Sequence, residues 1–357
     1  MPIVPLVGHR AHRERLAAAL ARGVLPSSLL LQGSRGIGKQ RLAIWVAQLL
    51  LCDAPGAEPC GACSHCRHVG HLRHPDLHWY FPRPRLKDSD PSLEDVAWDY
   101  GDAVAERARS DGLYPTPSGS DAIYVATVRA IVQQATRTPA LARRKVFVIG
   151  DAERMVPQEG SEQAANAFLK LLEEPPANTN IILTTSEPGA LLPTVRSRVV
   201  AMRLAPLPDG EMRELLAHSS VAQRLEADGV PGSEAERIRA SAGAAGRMLS
   251  GDSITDAGQA ADRILASLSG KPSAKFEAAW FQASAKARGA FADSLDELTV
   301  RLHDRARAAA RQGDAREALA AARAVDVVEV AKERVQSNVS PQLVTASLVR
   351  ELGDLLG

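Results

Sequence analysis

The sequence predicts an α/β protein built on a parallel, doubly wound sheet and followed by two helical domains. Apolar strand-like segments alternate with amphipathic helical segments over residues 27–186, which is typical of a parallel sheet covered by helices. After LAPLPDG (204–210) the strand pattern stops, and helical periodicity continues to the end of the chain. The length of 357 residues exceeds what one hydrophobic core usually serves, so more than one domain is expected.

The α/β part begins with a helix over residues 9–22 and continues with SSLLLQG (27–33), a short buried strand that runs into a glycine-rich loop. The elements expected next are a helix at 39–51, a strand at 76–81, a helix at 127–139, a strand at 145–150, a helix at 161–174 and a strand at 180–186. Residues 82–121 are rich in Pro, Asp and Ser, with a helical patch near 92–109. We interpret this segment as a surface insertion.

The helical part divides in two. Three short helices, which we interpret as a small lid, are expected at 209–226, 233–242 and 245–250. From Asp256 onward, longer helices rich in Ala, Arg and Leu indicate a separate bundle with Trp280 and Phe281 in its core. The predicted domains are therefore an α/β domain at 1–206, a lid at 207–253 and a helical oligomerisation domain at 254–357.

Composition and charge restrict the function classes. Lys and Arg number 43 against 42 Asp and Glu, so the net charge of +1 provides no global field for nucleic acid. Charged residues precede any apolar run of signal-peptide length, and the best apolar run, LAIWVAQLLL, is short and interrupted by Gln48. We expect a cytoplasmic protein without a membrane segment, whose four cysteines are reduced or metal-bound.

The loop GSRGIGKQ (33–40) matches the phosphate-binding signature G-x-x-x-x-G-K-[ST] except at its last position. In a working loop, backbone N–H groups cradle the phosphates, the lysine neutralises them, and a hydroxyl joins a strand-end Asp in fixing Mg²⁺. Here Lys39 remains, Gln40 replaces the hydroxyl, and the strand in KVFVIGDAERM ends in Gly150 followed by Asp151.

Because both metal-holding positions are changed, we expect the loop to bind ATP or ADP without appreciable hydrolysis. The alternative is a glycine-rich turn that only joins a strand to a helix. The candidate nucleotide-binding residues are Gly33, Gly36, Gly38, Lys39, Gln40 and Asp151.

All four cysteines lie in CDAPGAEPCGACSHC, at Cys52, Cys60, Cys63 and Cys66. Four thiolates in one short loop can close a tetrahedron around Zn²⁺, and with no open coordination position the metal would be structural. Iron–sulfur ligation and free thiols are the alternatives, although the first lacks the usual following Cys-Pro. Nearby histidines that could substitute as ligands are His65, His68, His71 and His74.

Together these features resemble one family. The loop, the cysteine segment followed by HPD (74–76), VFVIGDAERM, NAFLKLLEEPPANTNIILTTS and TVRSR are similar to the clamp-loader subunits of bacterial DNA polymerase III. The resemblance covers most of residues 1–250 and implies an AAA+ protein with a nucleotide-binding α/β domain, a helical lid and a helical collar that assembles a five-subunit ring. The collar is matched only by its helical character.

Two subunit types share this pattern, the ATP-hydrolysing motor (gamma/tau) and the delta-prime stator. The motor keeps a Ser or Thr after the lysine and an Asp-Glu strand end, so the departures at Gln40 and Gly150, together with DAERM, point to the stator type. The resemblance then implies a hetero-pentamer with motor and delta subunits that opens a sliding clamp and loads it on primed DNA. The resemblance implies that the chain has no intrinsic ATPase activity but is a component of a DNA-directed DNA polymerase holoenzyme.

The resemblance also assigns residues near the phosphates. Arg198, in a Ser-Arg pair followed by Val199 where the family usually has Cys, would be an arginine finger that reaches a neighbouring subunit's nucleotide. Its alternative is a solvated or locally paired surface charge. Thr185 or Ser186 would occupy the sensor position, and Arg247 would be the lid arginine unless it is only a solvated helix charge.

Two other functions remain open at this point. An active AAA+ motor would show turnover by the isolated chain, and Gln40 with Gly150 argues against it. A zinc-dependent nucleic-acid-binding module with a decayed ATPase fold would bind DNA tightly and with strong salt dependence, which the near-neutral charge disfavours.

Overall fold

The computed structural model describes residues 2–88, 90–114, 121–155, 162–248, 252–268, 288–336 and 339–356. These residues divide into two compact units, one ending at residue 248 and the other beginning at residue 252. In the described part of the chain, no helix combines the length and the apolar character needed to cross a membrane.

The first unit is organised around five parallel strands in the order β2-β3-β4-β1-β5. Their bounds are β1 Ser28–Gln32, β2 Leu77–Tyr80, β3 Lys145–Ile149, β4 Thr179–Thr185 and β5 Val200–Arg203. In the register of the central pairs, Leu30 of β1 lies opposite Leu183 of β4 and Ala201 of β5. The predicted parallel sheet is confirmed, and its strands end along one edge, where α/β sheets place their ligands.

One strand was not expected from the sequence. Strand β5 is at the sheet edge and pairs only with β1 among the strands described. Three of its four residues are exposed, so the segment lacks the apolar run by which the other strands are recognised.

Helices cover both faces of this sheet. Their bounds are α1 Arg10–Ala21, α2 Lys39–Leu51, α3 Ser64–Gly70, α4 Leu93–Arg109, α5 Val125–Thr136, α6 Glu162–Glu173 and α7 Pro193–Arg196, with a 3₁₀ turn at Ala152–Arg154. Alternate residues of β3 point to opposite faces, because Val146 and Val148 pack with α2 whereas Phe147 and Ile149 pack with α5 and α6. This is the doubly wound arrangement that the alternating pattern predicts.

The interpretation of residues 82–121 as a surface insertion is wrong for its helix. Val96, Tyr100 and Ala103 of α4 are buried in the same core as α2, and the Tyr100 hydroxyl donates to the Phe81 carbonyl at 2.7 Å. The Pro, Asp and Ser content belongs to the connections and to the capping box at the helix start, where Ser92 caps the helix. The part of this segment at 115–120 lies outside the described residues.

After β5 the first unit continues as four short helices rather than the three expected. They are α8 Asp209–Leu216, α9 Ser219–Ala227, α10 Glu234–Ser241 and α11 Ala245–Met248. The expected helix at 209–226 is two helices, because α8 ends at Leu216 and α9 begins at Ser219, with His218 as its N-cap. Met212, Val221 and Leu225 share a small core with Val4 from the start of the chain.

The second unit is helical throughout its described residues. Its helices are α12 Asp252–Leu268, α13 Arg288–Gln312, α14 Ala315–Gln336 and α15 Pro341–Leu356. Each contributes to one apolar core, with Ile264, Leu298, Val328 and Leu348 almost fully buried. The helical periodicity of this part is confirmed, whereas the predicted core residues Trp280 and Phe281 lie outside the described residues.

Candidate functional site: a phosphate loop with a filled metal position

The glycine loop joins β1 to α2 at the carboxyl edge of the sheet. Gly36 and Gly38 have φ angles of 80° and 93°, which side-chain-bearing residues rarely adopt. The Lys39 ammonium donates to the carbonyls of Gly33 and Ser34, both at 3.0 Å, and to the Ser186 hydroxyl at 2.8 Å. The lysine therefore links the loop to the end of β4.

The Gln40 side chain is buried behind this loop and is held by partners from three other elements. Its amide nitrogen donates to the Asp151 carboxylate at 3.1 Å, and its amide oxygen accepts from the Trp79 indole at 3.0 Å. Longer contacts of 3.4 Å reach the same oxygen from Arg107 and Tyr114. Thus Gln40 is a fixed part of the interior as well as the replacement for a missing hydroxyl.

The Gln40 side chain fills the space that a side chain at position 150 would occupy. A Cβ atom built on Gly150 would lie 2.4 Å from Cδ of Gln40 and 2.5 Å from both atoms of its amide head. A side chain at the end of β3 therefore cannot coexist with Gln40 in its present position. The two departures from the working signature are consequently one structural change, because the glutamine fills the room that a strand-end carboxylate would need.

Sequence reasoning missed Arg107, which lies on the other side of Gln40. Its guanidinium carbon is 3.2 Å from the ring centre of Phe81, 3.7 Å from that of Tyr114 and 4.4 Å from that of Trp79. Burial lowers the pKa of Arg107 to about 10, so the group remains charged at neutral pH. One signal was available, since Arg107 follows Tyr100 and Ala103 at helical spacing and so lies on the buried stripe of α4.

Two carboxylates complete this edge of the sheet. Asp151 has a left-handed backbone with φ of 48°, and its N–H donates to the Thr184 hydroxyl at 3.0 Å. Glu153 accepts from the Ser186 N–H at 2.9 Å through one oxygen, while the other oxygen is buried without a hydrogen-bond partner among the described residues. Burial, and secondarily the Asp151 charge, raises the pKa of Glu153 to about 7.

The two candidates for the sensor position, Thr185 and Ser186, use their hydroxyl groups differently. Thr185 is fully buried and its hydroxyl accepts from the Glu187 N–H at 3.0 Å, within its own turn. Ser186 instead contacts Lys39. Both residues therefore contact the phosphate loop, Thr185 through its carbonyl, which accepts from the Gly33 N–H at 3.2 Å, and Ser186 through its hydroxyl.

Helix α11 lies directly on the loop. The Gly246 N–H donates to the Gly36 carbonyl at 2.8 Å, and a Cβ on Gly36 would lie 3.1 Å from the Arg247 backbone nitrogen. The backbone of Arg247 therefore lies beside the loop, and its role as a lid arginine stays a prediction. A cavity of about 150 Å³ opens here, lined by the loop, by Val4–Val7 and by Leu113, Leu207 and Leu215.

The four cysteines converge on one point. The four sulfurs of Cys52, Cys60, Cys63 and Cys66 lie within 4.8 Å of one another, and the Cys60 and Cys66 sulfurs are 3.9 Å apart. Tetrahedral zinc with Zn–S bonds of about 2.3 Å needs sulfurs about 3.8 Å apart, so the donor set and the spacing fit zinc. Backbone N–H groups from Cys63 and Ala62 lower the pKa of the Cys60 thiol to about 6, which favours the thiolate that a metal requires.

Two of the four neighbouring histidines, His65 and His74, bind each other. The His65 and His74 rings are hydrogen-bonded to each other at 2.8 Å, and the second nitrogen of His74 accepts from the Asp76 N–H at 3.0 Å. The Asp76 carboxylate in turn accepts from the backbone of residues 140–142, which ties the cysteine segment to the sheet. Among the described residues, the only metal-compatible group is the set of four cysteines.

Arg198 lies on the surface after α7 and is held on two sides. Its Nε donates to the Glu173 carboxylate at 3.3 Å, and Nη1 donates to the Thr194 carbonyl at 3.0 Å and to the Ser197 hydroxyl at 3.3 Å. Its Nη2 makes no hydrogen bond to any residue that the structure describes. Arg198 is therefore locally paired, yet one edge of its guanidinium remains open to another molecule.

A parallel sheet of this order, with a glycine loop and a lysine between β1 and the following helix, defines a P-loop α/β protein. The filled metal position and the four-cysteine segment distinguish it within that class. A family model described as "DNA polymerase III, delta subunit" matches residues 8–208. The chain belongs to this family.

The relatives agree with the family match. The chain is 27% identical over 201 residues to the DNA polymerase III subunit delta' of Bacillus subtilis, with 56% of this chain and 49% of that protein covered. It is 33% identical over 224 residues to the delta' subunit of Pseudomonas aeruginosa, with 56% of each covered. It is also 31% identical over 213 residues to the gamma/tau subunit of Mycobacterium tuberculosis strain H37Rv, with 59% of this chain and 30% of that protein covered. The matches to the delta' relatives span about half the length of those proteins.

Proposed function

We propose that this chain is the delta-prime, or stator, subunit of a bacterial DNA polymerase III clamp loader. In this role it assembles with motor and delta subunits into a hetero-pentameric AAA+ ring in the cytoplasm. The ring opens a sliding clamp and loads it on primed DNA. The lid at 207–253 and the collar at 254–357 would provide the contacts within the ring.

The observation that carries the proposal is the Gln40 side chain in the space beside Gly150. Hydrolysis in a P-loop site needs Mg²⁺ held by a hydroxyl and a strand-end carboxylate. Here Gln40 replaces the residue that would supply the hydroxyl, and its side chain leaves no room for a strand-end carboxylate at position 150. A subunit built in this way supports the ring without turning over nucleotide, although its loop retains Lys39 and can still take ATP or ADP.

Arg198 gives this subunit a share in the chemistry of its neighbour. The open edge of its guanidinium suits a phosphate oxygen of a nucleotide bound to the adjacent subunit, where a fixed positive charge stabilises the transition state. Arg196, two residues earlier, is exposed and makes no contact of this kind with the described residues. It is therefore the matched control for Arg198.

The cysteine segment would hold one structural zinc through Cys52, Cys60, Cys63 and Cys66. When bound, the ion would cross-link the loop after α2 to the start of α3. With all four positions taken by thiolates, it offers no open site for catalysis.

Phosphate release by the purified chain tests the absence of turnover. We expect no ATPase activity above that of the Lys39→Ala variant, because the metal position is filled. The second candidate, an active motor subunit, is favoured by the 31% identity to a gamma/tau protein. Turnover that Lys39→Ala abolishes would establish that candidate and reject the stator.

A further inference from the structure

The phosphate loop is surrounded by charges that belong to the protein. Lys39 and Arg107 are cationic, whereas Asp151 and Glu153 supply the carboxylates. In a metal-dependent P-loop site, the divalent cation offsets the charge of the strand-end acid. Here an amide bridge connects Asp151 to Arg107, since Gln40 donates to Asp151 at 3.1 Å and accepts from Arg107 at 3.4 Å.

Arg107 cannot leave this position without disturbing the interior. It is only 7% exposed, and the rings of Trp79, Phe81 and Tyr114 lie against its guanidinium. Trp79 and Tyr114 also donate to the Gln40 amide oxygen, so the same residues hold both Arg107 and the oxygen to which it donates. The cation is therefore permanent, unlike a metal ion that arrives with the nucleotide.

We propose that Arg107, through Gln40, takes the place of Mg²⁺ beside Asp151, so that this loop binds a nucleoside polyphosphate without a divalent cation. The inference deepens the proposed function, because it concerns the retained nucleotide site of a subunit that does not hydrolyse. In this proposal, helix α4 supplies through Arg107 an internal counter-ion, which is a positive charge of the protein that offsets the Asp151 carboxylate.

The lining of the cavity next to the loop has the chemistry that this class of ligand requires. It is lined by Lys39 and the loop backbone on one side and by apolar side chains such as Leu113 and Leu215 on the other. The phosphate chain suits the wall formed by Lys39 and the loop backbone, and the base suits the apolar wall. Because the protein charge is fixed, the metal-free nucleotide, which is the more negatively charged form, should bind at least as well as the magnesium complex.

The test is titration of the purified full chain with ADP, by calorimetry, in excess Mg²⁺ and in EDTA. We expect the dissociation constant in EDTA to lie within about twofold of that in Mg²⁺, or below it. Tightening by about tenfold or more on addition of Mg²⁺, or no binding in either buffer, would overturn the inference.

Two variants sharpen the result. Arg107→Met keeps the apolar stem and removes the charge, and we expect it to weaken ADP binding in EDTA by about tenfold, whereas Arg109→Met, at an exposed position of the same helix, should not. If Arg107→Met does not fold, Gln40→Thr with Gly150→Asp serves in its place. That double variant should bind ADP about tenfold more tightly in Mg²⁺ than in EDTA, and the absence of such a gain would count against the inference.

Failure of this inference is distinguishable from failure of the proposed function. ATPase measurements on an assembled ring with Arg198→Ala report on the stator role and do not depend on nucleotide in this subunit's own loop. A ring that needs Arg198 while the isolated chain binds no metal-free ADP would leave the stator in place and reject the internal counter-ion.

Discussion

Replacing Gly150 with alanine tests directly whether Gln40 fills the metal position. The backbone of Gly150 is not in the left-handed region, so a Gly-to-Ala change there would ordinarily stabilise the protein by about 0.4–1 kcal/mol. Here the new Cβ would lie 2.4–2.5 Å from three atoms of the Gln40 side chain, which must move. Its displacement strains the buried hydrogen bonds to Trp79 and Asp151.

Overpacking typically costs about 1–3 kcal/mol, and an unsatisfied buried donor about the same. We therefore expect Gly150→Ala to destabilise the chain by about 2–3 kcal/mol. In a Gln40→Ala background the obstacle is absent, so the same substitution should be neutral or slightly stabilising. The coupling energy between the two positions should then be about 2 kcal/mol or more.

Urea unfolding of the wild type, both single variants and the double variant, followed by tryptophan fluorescence, gives this cycle. Gly189→Ala is the control, since nothing lies within 4 Å of a Cβ there, and it should be close to neutral. If Gly150→Ala lowered the free energy of unfolding equally in the wild type and in the Gln40→Ala variant, or did not lower it in the wild type, Gln40 would not fill the space beside Gly150.

Three further predictions concern other parts of the first unit. The purified chain should contain one zinc, and Cys63→Ser should lower both metal content and thermal stability; four freely titratable thiols in the native, metal-free protein would contradict this. Because the folded-state pKa of Glu153 is raised from 4.5 to about 7, stability should fall as pH rises through that interval. Glu153→Gln should remove this dependence and stabilise the protein at pH 8 by on the order of 1 kcal/mol, measured by urea unfolding at several pH values. Finally, Glu173→Ala should lower the ATPase activity of an assembled ring by loosening Arg198, whereas Glu174→Ala should not; equal effects of the two would exclude a specific role for the ion pair.

The parts of the fold that bury continuous apolar runs could be predicted from the sequence. Strands β1, β3 and β4 are central in the sheet, and each contains a continuous buried apolar run, at 29–31, 146–149 and 181–183, by which it could be identified. Strand β5 could not be recognised, because an exposed edge strand does not need such a run. The split between α8 and α9 was missed although the sequence carries a sign of it, since the buried residues Met212 and Val221 are nine positions apart and would lie on opposite faces of one continuous helix.

The candidate site was predicted as a set of residues but not as an arrangement. Gln40 and Gly150 were identified as departures from the signature. That the Gln40 side chain fills the space beside Gly150 could not be predicted, because this contact joins residues far apart in the chain. Arg107 was missed because the polar composition of its segment indicated a surface insertion. The buried stripe of α4 shows that composition over a long segment is a weaker guide than the periodicity within it.

The most direct measurement of the central claim is the DNA-stimulated ATPase activity of a reconstituted ring that contains this chain with motor and delta subunits. Arginine fingers contribute about 10³–10⁵ in rate at the site they face, so Arg198→Ala should depress ATPase activity and clamp loading while Arg196→Ala leaves both near the wild-type level. Gel filtration should show that both variants still assemble. Wild-type activity in an assembled Arg198→Ala ring would contradict the account and leave this chain a scaffold only.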